Sequence, residues 1–288
     1  MRGVLVSNDT RESNEVFTPE AARRSGFQTR NVMADDFGFE VPVEAVPLPS
    51  SGRIYPVESP LYNQETLEIR AMTAKEEDIL TSRALIKKGT VITHLIKSCL
   101  INKAIDVDEM TVGDRNAVMT ALRVTGYGSE YNAEIDCPSC GERSKQDFLL
   151  TDLPIKRLET EPVAEGANLF EFELPVTKKK VHFKFLTGAD ETQLTVMMER
   201  SKKQGAQADS LITTRLQHQL VAIDGIKDRT KVNMFIRNMP ARDSLALRKH
   251  IDATEPGLDM KTWMDCPHCM ESSEVRLPMG ASFFWPDA

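Results

Sequence analysis

Apolar residues along this chain change their spacing several times, and each change marks a predicted element. "TAKE", Thr73 to Glu76, has the form of a capping box and predicts a helix start. Val91, Ile92, Leu95, Ile96, Cys99 and Leu100 then recur at three- and four-residue intervals, the apolar face of a second helix. Cys99 lies on that stripe and reads as a small core residue, whereas His94 reads as a surface or boundary position. In "DRNAVMTALRVTGYG" the positions Ala117, Val118, Ala121 and Leu122 predict another helix, with Gly126 as its stop. Asp114 and Arg115 open it and read as a capping pair. The period then drops to two: Tyr131, Ala133, Ile135 and Cys137 alternate as in a strand that ends on a cysteine.

Residues 168–186 predict a hairpin. Phe170, Phe172 and Leu174 alternate on one arm, and Val181, Phe183 and Phe185 on the other, joined by the polar PVTKKK. His182 shares a face with Lys184 and reads as solvated, and Lys178 to Lys180 read as a soluble loop. Helical spacing returns after Asp190 with Leu194, Met197 and Met198. It continues in Ile212, Leu216, Leu220 and Ile223, with His218 off that stripe. Two more helices are predicted at about 231–239 and 243–253, the second with Asp243 as N-cap. Val275, Leu277 and Met279 alternate again.

The ends of the chain lack this order. Residues 1–65 are polar, carry five prolines between Pro42 and Pro60, and show weak periodicity. They read as an extended arm, either disordered alone or ordered on a neighbouring subunit. The C-terminal "ASFFWPDA" puts Phe283, Phe284 and Trp285 together. They either fold back on this chain or anchor it in a neighbour's pocket, which makes them candidate partner-binding residues.

Composition fits one or two soluble globular domains: 288 residues, 41% hydrophobic and 27% charged. No stretch approaches the length of a membrane span, and the N-terminus lacks a signal-peptide core, so a reducing cytosol is the expected setting. The net charge of −7 argues against a dominant contact with nucleic acid.

Four of the five cysteines form two CxxC pairs, in "DCPSCGE" (136–142) and "DCPHCME" (265–271). Both follow Asp-Cys-Pro-x-Cys-x-Glu, and a strand precedes and follows each. Two such knuckles facing each other make a zinc ribbon, with Cys137, Cys140, Cys266 and Cys269 as ligands of one structural zinc ion. A redox pair or disulfide, or an iron–sulfur or catalytic centre, are the alternatives. Four cysteines leave no open position for catalysis, and His268, inside its turn, is expected to point outward. Gly141 can adopt the left-handed conformation such a turn favours, while Met270 stands at the matching place in the second knuckle.

Between Cys140 and Cys266 lie 125 residues, so the ribbon must be split by a folded insertion whose ends return to one place. Asp136, Glu142, Asp265, Glu271 and Glu274 flank the knuckles and argue against a nucleic-acid-binding ribbon. The chain has no G-x-S-x-G, H-E-x-x-H, Walker loop or dinucleotide fingerprint, and no enzymatic activity is expected. The expected fold is α+β. A helical region (66–136) leads into a split zinc ribbon (137–280) holding a β-hairpin and helical subdomain (141–265). An extended N-terminal arm (1–65) and an aromatic C-terminal tail (281–288) flank them.

The order of "LPSSGRIYP", "MTAKEEDIL", "GDRNAVMTALRVTGYG", a first CPxC, "LRKHIDATEPGLDM", a second CPxC and the terminal "FFWP" resembles the baseplate hub family of T-even-type contractile-tailed bacteriophages, from about residue 47 onward. The resemblance implies a structural, non-enzymatic protein of the central hub of the virion tail, made in the host bacterial cytoplasm. It would pack in multiple copies against other baseplate, hub and tail-tube proteins, with no membrane or nucleic acid as partner. The family's metal positions would fall on Cys137, Cys140, Cys266 and Cys269. A transient hub assembly factor absent from the virion and a zinc-ribbon nucleic-acid-binding protein are the competing readings.

Overall fold

The computed structural model describes residues 41–203, 211–279 and 281–284. It opens with strand β1 (Val43–Pro47), which pairs antiparallel with β2 (Thr66–Arg70), Val46 opposite Leu67. Between them the chain folds into consecutive turns. Gly52 makes these possible: its φ is +71°, and a Cβ there would stand 2.3 Å from the Leu61 carbonyl oxygen. Residues 41–65, expected as the end of an extended arm, are therefore part of the core. Leu48, Ile54, Tyr55 and Leu61 are all buried. Each such side chain contributes about 2 kcal/mol, but they are spaced by turns and show no period. Residues 1–40 lie outside the described residues.

The capping box at Thr73 and Glu76 starts α1 (Ala74–Thr81), and α2 (Arg83–Lys88) and α3 (Val91–Cys99) follow. The α3 stripe is the predicted one, with Leu95, Ile96 and Cys99 fully buried. Glu76 does more than cap. Its carboxylate accepts from the Thr73 N–H (2.9 Å), from both ends of the Arg70 guanidinium (2.6 and 3.0 Å) and from the Ser98 hydroxyl (2.6 Å). Burial alone would raise its pKa, but Arg70, Ser98 and Thr73 outweigh burial and hold the carboxyl well below the usual range. A carboxyl lowered on folding stabilises the protein above its unfolded value of 4.5 and loses that contribution as pH falls. Glu76→Gln should therefore destabilise by about 2–3 kcal/mol at neutral pH. The gap from the parent should narrow below pH 4.5 in urea titrations; a gap constant with pH would contradict the ion pair.

Helix α4 (Val112–Tyr127) is buried on nearly all sides. It runs through Gly126, where a stop was expected, and ends at Gly128. Gly126 instead leaves room for Met72, whose Cε lies 2.7 Å from where a Cβ would stand. Asp114 does not serve as a cap for its own helix end. It is fully buried and accepts from the Ser50 N–H (3.0 Å), the Ser50 hydroxyl (2.5 Å) and the Tyr55 hydroxyl (2.5 Å), tying α4 to the 48–55 turns. Arg115, also buried, donates to the Thr93 hydroxyl (3.2 Å).

Strands β3 (Glu130–Asp136) and β4 (Arg143–Leu149) form the first cysteine hairpin. After β5 (Ile155–Lys156), the predicted hairpin appears as β6 (Phe170–Glu173) and β7 (Lys180–Phe183). Its Phe170, Phe183 and Phe185 pack as one aromatic cluster. His182 is half-buried beside Glu171 (3.6 Å) rather than solvated. Helices α5 (Gly188–Lys203) and α6 (Leu211–Gln219) follow.

The stripe from Ile212 to Ile223 is not one helix. Leu220–Ile223 is strand β8, the third strand of a β6-β7-β8 sheet. "LVAI" satisfies helical spacing, but the free edge of β7 takes its backbone groups, and tertiary pairing overrides the local pattern. Next come α7 (Arg229–Asn238) and α8 (Ala241–Thr254). Asp243 sits inside α8 and caps a different element: it accepts from the Val176 (2.7 Å) and Thr177 (3.0 Å) N–H groups of the β6–β7 turn. Finally β9 (Gly257–Leu258) pairs with β5, and β10 (Lys261–Asp265) pairs with β11 (Ser272–Arg276). The β5–β9 pair closes the insertion at its base, which brings the two cysteine hairpins side by side.

The tail ends in a short turn, Ala281–Phe284. Phe283 and Phe284, candidates for an anchor in a neighbour, are fully buried in this chain instead. Phe283 meets Tyr131 edge-on (5.2 Å), and its carbonyl accepts from Arg123 Nε (2.9 Å). Arg123, itself fully buried, also donates to the Gly128 and Glu130 carbonyls. Folding back removes two rings from water at no association cost. Trp285 lies outside the described residues.

Candidate metal centre

Each cysteine pair is carried by the turn of a hairpin, and the two turns share one hydrogen-bond pattern. In the first, the Cys137 N–H donates to the Glu142 carbonyl (2.9 Å) and the Gly141 N–H to the Cys137 carbonyl (2.9 Å). In the second, the Cys266 N–H donates to Glu271 (3.1 Å) and the Met270 N–H to Cys266 (2.9 Å). The residue after the second cysteine must be left-handed: Gly141 has φ +77° and Met270 φ +60°. Glycine adopts this freely, while methionine carries a cost of about 1 kcal/mol. Met270 is also strongly exposed, so its side chain recovers nothing by packing. His268 is exposed in its turn, as expected.

The two turns face each other. Cys137 Sγ lies 3.8 Å from Cys269 Sγ, Cys140 Sγ lies 3.7 Å from Cys266 Sγ, and all four sulfurs fall within 4.8 Å of one another. Sulfurs placed about 2.3 Å from a common centre in a tetrahedron would be about 3.8 Å apart, so the cradle matches a four-thiolate metal ion. The same distances exclude disulfides, whose sulfurs stand about 2.05 Å apart. All five cysteines are free thiols.

Backbone donors prepare the site for anionic sulfur. The Cys140 N–H, with help from Ser139, pulls the Cys137 thiol down to about 6. Cys140 goes the other way, to about 12: the Glu142 N–H favours its thiolate, but burial and the neighbouring sulfurs outweigh it. Four thiolates so close repel one another, and a cation at their centre removes that conflict. Outside the sulfurs, the Gln146 amide donates to the Asp265 carbonyl (3.2 Å) and Ser139 meets Ser273 (3.3 Å), so the hairpins touch directly. Asp136 pairs with Arg143, and Asp265 accepts from Ser272. These acids stiffen their own hairpins.

The structure thus brings together the four cysteines that the CxxC spacing singled out, and they can hold a metal ion. Cys99 stands apart, its thiol pushed up to about 12 by burial in the core. Sequence reasoning did not find the Ser50–Tyr55–Asp114 cluster, because no spacing rule links residues 64 positions apart.

A family model described as T4 bacteriophage base plate protein matches residues 48–285, which includes both cysteine pairs and the whole insertion. No curated protein and no solved structure matches the chain. Among the described residues, no helix is long and apolar enough to cross a membrane.

Proposed function

This chain belongs to the T4 bacteriophage base plate protein family, and we propose that it is a structural, non-enzymatic subunit of the central hub of a contractile tail. In this reading one zinc ion, held by Cys137, Cys140, Cys266 and Cys269, locks the two hairpins that bracket the insertion. The shape so fixed is what neighbouring baseplate and tail-tube subunits pack against, in several copies per tail. The observation that carries the reading is the extent of the family match, which spans both halves of the cysteine cradle and everything between them.

The chemistry of the chain supports it. Four cysteine ligands leave no open coordination position for a substrate or a reactive water. Two buried carboxylates have structural roles: Asp114 ties down the 48–55 turns, and Asp243 caps the β6–β7 turn. Acidic residues border the knuckles, which disfavours a nucleic-acid surface.

The test is peptide mass spectrometry of purified virions together with a density map of the tail. Peptides at a fixed ratio to known baseplate proteins, with density for this fold around the tail axis, are the expected result. Absence from finished virions but presence on assembling baseplates would replace the reading with that of a transient assembly factor.

A further inference from the structure

Where the end of β4 passes the β10–β11 hairpin lies a groove of about 320 Å³. Two large apolar side chains are exposed there: Trp263 at 55% and Leu149 at 47%. Four carboxylates line the same groove, Asp147, Asp152, Asp259 and Glu274, against the single cation Lys261. None of the five is in an ion pair among the described residues, and Glu274 stands directly across the β10–β11 ladder from Trp263. An exposed tryptophan ringed by acids that make no ion pair suits an occupant that combines arginine with an aromatic ring. Arginine can stack on the indole face while pairing with carboxylates.

The chain carries such a segment outside the described residues. Ala21 to Asn31, "AARRSGFQTRN", holds Arg23, Arg24 and Arg30 around Phe27, without one acidic residue. The rest of residues 1–40 contains seven acids and only two arginines, so the positive charge is concentrated there. Phe27 is 14 residues from Val41, where the described chain begins. Fully extended, that link spans about 48 Å, roughly the diameter of a domain this size, so the groove is within its reach.

We propose that the groove formed by Trp263, Leu149 and their acidic rim is the docking site of this chain's own segment Ala21–Asn31. Phe27 packs on Trp263 and the three arginines meet the carboxylates. The contact pins the N-terminal region against the end of β4 and the β10–β11 hairpin. It does not rest on the baseplate reading and can fail or hold independently of it.

The test uses the full chain carrying Trp285→Phe, so that the remaining tryptophan emission reports Trp263. Expected is an indole shielded from acrylamide. The shielding should be lost when Arg23, Arg24 and Arg30 are all changed to glutamate, lost with Phe27→Ala, and weakened by molar salt. If Trp285→Phe does not fold, the same signal is read as the difference between the parent and Trp263→Phe. A fully quenchable Trp263 in the parent overturns the proposal, as does shielding that survives the arginine changes. Shielding that disappears on dilution also overturns it, by assigning the groove to a second copy of the chain.

Discussion

Cys266→Ser is expected to lower the melting temperature of the reduced protein by roughly 10–20 °C. The four sulfurs close a loop of 125 residues between Cys140 and Cys266. By analogy with a disulfide, a crosslink of that span removes about 5 kcal/mol of denatured-state freedom, and a domain of this size loses roughly 2–4 °C per kcal/mol. Serine leaves three thiolates without a full cradle. It also removes a tie between the β3–β4 and β10–β11 hairpins that the neutral, exposed Gln146 and Ser139 contacts do not replace. A strong chelator should act on the parent in the same direction, and readded zinc should reverse it. Elemental analysis of protein purified without added metal should give one zinc per chain. A cradle filled with iron would change the identity of the ion but keep the staple. Unchanged unfolding in both the Cys266→Ser and chelated proteins would remove the stapling role altogether.

The second large effect is expected at Asp114. Asp114→Ala should cost about 3–5 kcal/mol, because it takes the carboxylate acceptor away from the buried Ser50 N–H, Ser50 hydroxyl and Tyr55 hydroxyl at once. The three donors now converge on one carboxyl within 3.0 Å. Tyr55→Phe removes one of these donors, so combining it with Asp114→Ala should cost less than the sum of the two single changes. Equal additivity, or a cost for Asp114→Ala below about 1 kcal/mol, would mean the cluster does not hold the 48–55 turns to α4. Its pH dependence runs opposite to that of Glu76. Burial raises the Asp114 pKa, and the hydrogen bonds from Ser50 and Tyr55 offset only part of that. The advantage over a non-titrating Asp114→Asn variant is therefore greatest below the unfolded value of 3.8 and declines as pH rises through the folded one. Two buried carboxyls thus differ for a simple reason: Glu76 has a guanidinium beside it, and Asp114 has only neutral donors.

The sequence by itself determined what depends on neighbours within a few positions. The capping box at Thr73, the α3 stripe through Cys99, the alternation into Cys137 and the two matching CxxC turns are all local, since helix faces, strand faces and tight turns are set by three to six consecutive residues. The four clustered cysteines were legible for the same reason: each half of the site is one turn, and the repeat of the pattern named its partner. Tertiary structure alone decided where residues of similar local character were used. Leu220–Ile223 became a strand because β7 offered an unpaired edge. Asp114 left its own helix end because buried donors on Ser50 and Tyr55 converge on it, and Asp243 left its own because it accepts from the Val176 and Thr177 N–H groups. Residues 41–65 joined the core, and Phe283 and Phe284 turned inward, because the surfaces that cover them come from chain segments far away in sequence. Those choices depend on desolvation, and desolvation is fixed only when distant segments meet.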